Sequence, residues 1–286
     1  MTLSYHSMSA ENRNQSPINT KNYFMTAKIF AVANQKGGVG KSTSTINVAR
    51  VLVEQGKRVL IVDCDPQSSA SVISGITPQQ IRTLQEQGKT LYFSLVKNVP
   101  LEDLIIGENP SVIPSSIRLS DAETEMITPY GAASVLREKI QPLKDRFDII
   151  LIDCPPTLSM LTINALSASD AVLIPCKTDY LSIMGIQQLL ETIENVRRRV
   201  NPSLRIAGIL PTLFNGRANH DVELLEELKQ IAAVQNITVF APINRATAFD
   251  RANSEATSVI ESYPATPGVE HYRLVAMHIL EISLGK

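Results

Sequence analysis

Apolar residues along this chain gather in short unbroken runs, separated by stretches with helical spacing. Ala27 to Ala33, Arg58 to Val62, Ser111 to Ile113, Asp148 to Ile152, Ala171 to Pro175, Arg205 to Leu210 and Ile237 to Phe240 read as strands. Between them, Ser42 to Gln55 repeats its apolar positions at Ile46, Ala49 and Val53. Helical patterns recur over Ala132 to Leu143, Gly185 to Val200, His220 to Ala233 and Tyr272 to Leu284. Runs that are apolar at successive positions belong to strands buried on both faces. Their alternation with helices predicts an α/β fold, a mostly parallel central sheet with helices on both faces. Functional residues should then collect at the carboxyl ends of the strands.

Residues 1–26 stand apart, being rich in Ser, Asn, Gln and Thr with little apolar periodicity. They read as a flexible arm, too short for a helix-turn-helix domain, and leave residues 27–286 as one folded domain. Composition changes this picture little. The 286 residues are 44% hydrophobic and 19% charged, as expected of a soluble protein with a real core. The formal net charge is −1, so any binding to a polyanion must come from a local basic patch. Cys64, Cys154 and Cys176 are scattered, each at the end of an apolar run, and read as buried free thiols rather than a disulfide framework or zinc site. No apolar run approaches the ~20 residues of a membrane span. The start of the chain lacks the pattern of a signal peptide, and a reducing cytoplasm fits these features.

The first strand ends at Gln35-Lys36-Gly37-Gly38-Val39-Gly40-Lys41-Ser42-Thr43, and a helix follows. Strand, Gly-rich turn and helix make a P-loop. The backbone N–H groups of Gly38 to Ser42 can wrap phosphates where glycine lets the chain come close, and the helix dipole favours the anion. Lys41 is placed to reach β and γ phosphates, and the Ser42 hydroxyl to hold Mg²⁺. The pattern departs from G-x-x-x-x-G-K-S/T at Gln35, where glycine is usual, and a second lysine, Lys36, stands beside it. With Lys41 already serving the local nucleotide, Lys36 has the character of a cation that crosses to a neighbouring subunit, the analogue of an arginine finger.

Two further strands end in acids. Asp63 and Asp65 flank Cys64, and at strand period they point the same way. One such carboxylate can support Mg²⁺ through water and the other can orient the attacking water. Asp153 closes the run from Asp148 in the Walker B manner, holding Mg²⁺ indirectly, and Pro155 and Pro156 stiffen the turn after it.

Lys36 to Thr43 resembles the variant phosphate loop of the ParA/MinD-type ATPases, and the likeness runs from about residue 28 to 282. It takes in Val62-Asp63-Cys64-Asp65-Pro66-Gln67, Ile113-Pro114-Ser115-Ser116 and Ile152-Asp153-Cys154-Pro155-Pro156-Thr157. The Asp-Pro-Gln and Asp-x-Pro-Pro segments are more similar to ParA-type DNA partition proteins than to MinD. The resemblance implies a single P-loop domain, ATP and Mg²⁺, and an ATP-dependent sandwich homodimer in which Lys36 enters the partner's site. It implies Asp65 for hydrolysis and Asp63 for support of Mg²⁺. It also implies non-specific binding to double-stranded DNA in the nucleoid, a ParB-like centromere-binding activator, and no membrane partner.

For the base, the resemblance points to Asn215 and Pro242, after late strands. For DNA it points to Arg217, Arg245 and Arg251, whose phosphate contacts would be salt-sensitive and blind to sequence. Arg197 to Arg199 end a helix, where cations are favoured for dipole reasons alone. The same motifs also serve a nucleoid-based positioning ATPase that carries a protein cargo. A MinD-like membrane-cycling protein would need a basic amphipathic tail, and Tyr272 to Lys286 holds only Arg273 and Lys286 as permanent cations. A reductase with a shared iron–sulfur cluster would need cysteines outside the nucleotide motifs, and Cys64 and Cys154 lie inside them.

Overall fold

The computed structural model describes residues 26–126 and 132–285. In chain order its elements are β1 (Lys28–Val32), α1 (Lys41–Glu54), β2 (Val59–Asp63), α2 (Ser69–Ile73), α3 (Pro78–Glu86), α4 (Leu91–Lys97), β3 (Ser111–Ile113), α5 (Leu119–Glu125), α6 (Val135–Ile140), β4 (Ile149–Asp153), α7 (Met160–Ala168), β5 (Ala171–Lys177), α8 (Tyr180–Arg199), β6 (Arg205–Thr212), α9 (Asn219–Val234), α10 (Thr247–Ser254), α11 (Val259–Ser262) and α12 (Glu270–Ser283). Apart from Thr26, the expected arm lies outside the described residues.

The strands pair in parallel in the order β3-β2-β4-β1-β5-β6. This order sets β4 between β1 and β2, so the loops leaving all three strands open at one edge. Register is tight there: Asp153 is the partner of Val32 on one side and of Asp63 on the other. Successive residues of a strand face opposite sides, and here both sides are apolar. Ile29, Ala31, Leu60, Val62, Ile150 and Ile152 pack into one layer with α4 to α9. Phe30, Val32, Ile61 and Leu151 pack into the other, beneath α1, α2 and α10 to α12. That two-faced burial is why the strands read as unbroken apolar runs.

One expected strand is not formed. Over Ile237 to Phe240 the chain runs beside β6 through Ile209 N–H to the Thr238 carbonyl (2.8 Å) and Phe240 N–H to the Ile209 carbonyl (2.9 Å), giving only an isolated bridge from Ile209 to Val239. The Phe240 ring lies over Gly208, where a Cβ would stand 2.5 Å from it. Pro242 then removes an N–H from any continuation. The tail segment forms α12, which buries Tyr272, Val275, Ala276, Ile279 and Ile282. No helix of the described residues is long and apolar enough to cross a membrane.

Candidate functional site

The turn after β1 is built on two glycines with left-handed backbone, Gly38 at φ 70° and Gly40 at φ 79°. A side chain at either would strain the turn, since only glycine adopts these angles freely. No side chain caps α1, so its first N–H groups face the turn and are available to an anion. The loop is anchored from across the sheet by Thr212 of β6, whose hydroxyl donates to the Val39 carbonyl at 2.8 Å.

The two lysines of the loop go opposite ways. Lys41 is buried and turns inward, its Nζ donating to the Lys36 carbonyl at 3.0 Å. Burial lowers its pKa, while the charges of Asp153 and Asp65 pull it upward. Lys36 turns outward, and its Nζ lies 2.6 Å from Asp179 Oδ1. Asp179 also pairs with Lys177 at 3.1 Å and caps α8 by accepting from Ser182 N–H at 2.8 Å. Burial works to raise the Asp179 pKa, but Lys36, Ser182 and Lys177 outweigh it and hold the carboxyl below its ordinary value. Gln35, where a P-loop usually has glycine, donates to the Gly185 carbonyl (3.1 Å) and to Gln188 Oε1 (2.8 Å). Residue 185 must be small for this, because a Cβ there would sit 2.9 Å from the Gln35 amide nitrogen.

Register brings the acids together. Asp153 accepts from Ser42 Oγ at 2.6 Å and from Thr45 Oγ1 at 3.2 Å. Asp63 Oδ1 accepts from Asp65 N–H (3.1 Å), and its Oδ2 accepts from Ser71 N–H (2.8 Å) and Oγ (2.6 Å). Its partners are therefore in the loop after β2 and in α2, and a water-mediated tie to an ion would use its remaining lone pairs. Burial pushes the carboxyls of both Asp63 and Asp153 upward. Asp65 Oδ1 accepts from Gln67 N–H at 3.0 Å, and its side chain lines a cleft of about 340 Å³ together with Lys41, Ser42, Thr43, Gln67 and Pro156. A second cleft of about 310 Å³ adjoins it, sharing Gly38, Gly40, Thr43 and Asn253, and is lined further by Thr212, Leu213, Asn244, Asp250 and Tyr272.

These residues fit a nucleotide phosphate chain with a divalent cation. The charges of Asp153 and Asp65 act on a single buried ammonium, that of Lys41, a balance that a cation would relieve. Among the described residues no group of three or more Asp, Glu, His or Cys could hold a metal ion by itself. An ion here would therefore draw on the Ser42 hydroxyl, waters and phosphate oxygens, the ligand set Mg²⁺ prefers.

The residues expected at the base and at DNA do not themselves line the two clefts. Asn215 is exposed; its N–H donates to Asp221 Oδ2 and its Oδ1 accepts from Arg217 N–H. Pro242 offers its carbonyl to His271 Nδ1 at 2.7 Å. Neither lines the second cleft. Arg217, Arg245 and Arg251 are exposed. A backbone bridge from Phe214 to Asn244 brings the segments of the first two together, with Arg245 N–H donating to the Phe214 carbonyl at 2.9 Å. None of the three is in an ion pair among the described residues, whereas Arg197 and Arg198 both pair with Glu194. The sequence pattern does not single out Thr45, Ser71, Asp179 or Thr212. Only Asp179 carries a local signal, as an N-cap residue before a helix.

An AAA-domain family model matches residues 27–206. The chain is 36% identical over 255 residues to the sporulation initiation inhibitor protein Soj of Bacillus subtilis, covering 88% of this chain and 98% of that one. It is 38% identical over 223 residues to the chromosome partitioning protein ParA of Myxococcus xanthus, covering 76% of each. Among solved structures, cobyrinic acid a,c-diamide synthase from Mycobacterium smegmatis with bound ATP analogue and magnesium superposes with TM-score 0.75 at 31% identity, over 89% of this chain and 95% of that one.

Proposed function

The chain belongs to the AAA-domain family of Soj- and ParA-type partition ATPases, and on that premise we propose that it is an ATP-driven DNA segregation protein of the nucleoid. ATP with Mg²⁺ joins two copies face to face. The pair binds double-stranded DNA without reading its sequence, and hydrolysis, stimulated by a ParB-like centromere-binding partner, releases it. The observation that carries this reading is the divergence of the two loop lysines. Lys41 is committed to its own cleft, while Lys36 turns away from it to the half-buried carboxylate of Asp179.

Within one site the roles follow from position. The loop N–H groups and Lys41 bind the phosphates. When bound, Mg²⁺ supplies charge neutralisation between the phosphate oxygens. Ser42 is the hydroxyl that would hold it, with Asp153 orienting that hydroxyl and Asp63 and Asp153 acting through water. Asp65 stands at the cleft wall, placed to orient a water. Phosphoryl transfer depends on such positioning more than on covalent chemistry. Asp65→Ala is therefore expected to keep ATP affinity within a few-fold and to form the ATP dimer, yet lose about a hundredfold or more in turnover. Sedimentation with ATP and a phosphate-release assay check this, and normal turnover would move the role elsewhere.

DNA pelleting with and without ATP tests the reading as a whole. Binding is expected only with ATP, equally on duplexes of unrelated sequence. Arg245→Ala and Arg251→Ala should each weaken it uniformly and lower the log–log salt slope by about two, one phosphate contact being lost from each copy of the pair. ATP affinity should not change in either variant. A preference for one duplex over another of equal length, or binding that ignores nucleotide, contradicts the proposal.

A further inference from the structure

The loop carrying Asp65 is fixed by a single buried carboxylate that grips it at both ends. Asp63 Oδ1 takes the N–H of Asp65, where the loop begins, and Oδ2 takes the N–H and hydroxyl of Ser71, where α2 is under way. Between these two points the chain makes a tight turn. Ser68 N–H donates to the Asp65 carbonyl at 2.8 Å, and Ser68 adopts left-handed backbone at φ 58°. The turn presents Asp65, Gln67 and Ser69 to the phosphate cleft. No side chain caps α2 from within, so Asp63 serves from the strand as its acceptor.

Ser71 does more than donate. Its Oγ also accepts from Ser115 N–H at 3.1 Å, and both residues are fully buried. One hydroxyl thus ties the end of β2, the start of α2 and the segment after β3. Its short bond to Asp63 (2.6 Å) has a carboxyl acceptor, and both side chains are fully buried, where hydrogen bonds are individually strong and costly to leave unmade. Ser71 does not line the phosphate cleft, so it acts on the cleft only through the residues it holds.

We propose that Ser71 is a positioning residue for ATP turnover: its hydroxyl, linking Asp63 to the backbone of Ser115, fixes the turn that holds Asp65 over the phosphates. This rests on the reading of Asp65 as the residue that orients the attacking water. Losing the hydroxyl loosens the turn without touching the phosphate-binding N–H groups or Lys41, so turnover falls while nucleotide affinity stays.

Ser71→Thr and Ser71→Val test this as a pair, because the two variants have nearly the same volume and differ only in the hydroxyl. Any strain from the added methyl in this buried position is common to both. Ser71→Thr should keep kcat within about threefold of the native chain. Ser71→Val should lose about tenfold or more in kcat, the scale of a hydrogen bond to a charged group, with KM and equilibrium ATP affinity within about threefold. Equal turnover in the two variants, or a fall in ATP affinity as large as the fall in kcat, overturns the proposal. Ser71→Ala, which adds no atoms, supplies the same comparison if Ser71→Val does not fold. Asp65→Ala is measured alongside. If it turns over normally, the reading of Asp65 fails; if it is inactive and Ser71→Val is not, only the role of Ser71 fails.

Discussion

Lys41→Ala is expected to abolish ATP binding, a loss of about a thousandfold in affinity. The Lys41 ammonium is buried in the loop, with the charges of Asp153 and Asp65 acting on it. A phosphate oxygen ~4 Å from such a cation gains roughly 4 kcal/mol at the effective dielectric of a protein surface. Without the ammonium, the triphosphate would meet Asp65 at the cleft wall with no protein cation of the same chain beside the loop N–H groups to offset it. The loop itself should survive, since its turn depends on Gly38 and Gly40 and its anchor on Thr212. ATP should therefore raise the melting temperature of the native chain and leave that of Lys41→Ala unmoved. Equilibrium binding of a labelled ATP analogue measures the effect directly, and unchanged affinity would remove the basis for treating this loop as a phosphate site.

The features legible in the chain and those hidden in it divide along physical lines. The six strands are visible because both faces of the sheet are buried, which makes each strand apolar at successive central positions, with polar residues such as Lys28, Asp63, Asp153 and Arg205 kept to the ends. Their ends shift by a residue or two, as for β2, which reaches Asp63 rather than stopping at Val62. Longer helices with one wet face, α9 and α12 among them, are visible too, whereas the short α3 and α10, which bury one and two side chains, are not. The start of α8 is not: it begins at Tyr180 rather than near Gly185, and Tyr180, Leu181 and Met184 are apolar yet exposed (57%, 69% and 46%), which breaks the amphipathic period. Helix α7 hides for the opposite reason, being buried at most of its positions. In the site, the loop and acids announce themselves because backbone geometry and charge restrict the residue types allowed. Ser71, Thr212 and the Asp179 partner of Lys36 do not. They are ordinary residues brought in by strand order, and Lys36 and Asp179 are 143 positions apart.

Lys36→Ala should leave monomeric ATP binding intact and remove every later step that depends on it. Two triphosphates brought to one dimer face carry about three to four negative charges each, and without cations reaching across they repel. The variant is expected to bind ATP, stay monomeric by sedimentation, hydrolyse poorly and lose DNA binding that needs arginines from both copies. The position of Lys36 in the single chain is compatible with such a crossing. Its bond to Asp179 joins side chains that are 31% and 26% exposed, a half-buried pair whose attraction is offset in part by the cost of drawing both charges out of water. A partner's triphosphate can outbid that hold. Asp179→Asn keeps an oxygen to cap α8, since asparagine caps as well as aspartate, and removes the charge that retains Lys36. It should dimerise at an ATP concentration lower by a few-fold at most, whereas Lys36→Arg should fail, a planar guanidinium being a poor substitute for a compact ammonium in a tight loop. Mixing subunits decides whether Lys36 acts across the interface. In a pair made of Lys36→Ala and Lys41→Ala chains, the first has a competent nucleotide site but no reaching lysine, and the second has the lysine but no nucleotide. Together they assemble one complete site, so turnover above either parent alone requires action in trans. If Lys36→Ala by itself dimerises and turns over like the native chain, Lys36 is an ordinary loop residue held by Asp179, and the face-to-face ATP switch does not operate in this protein.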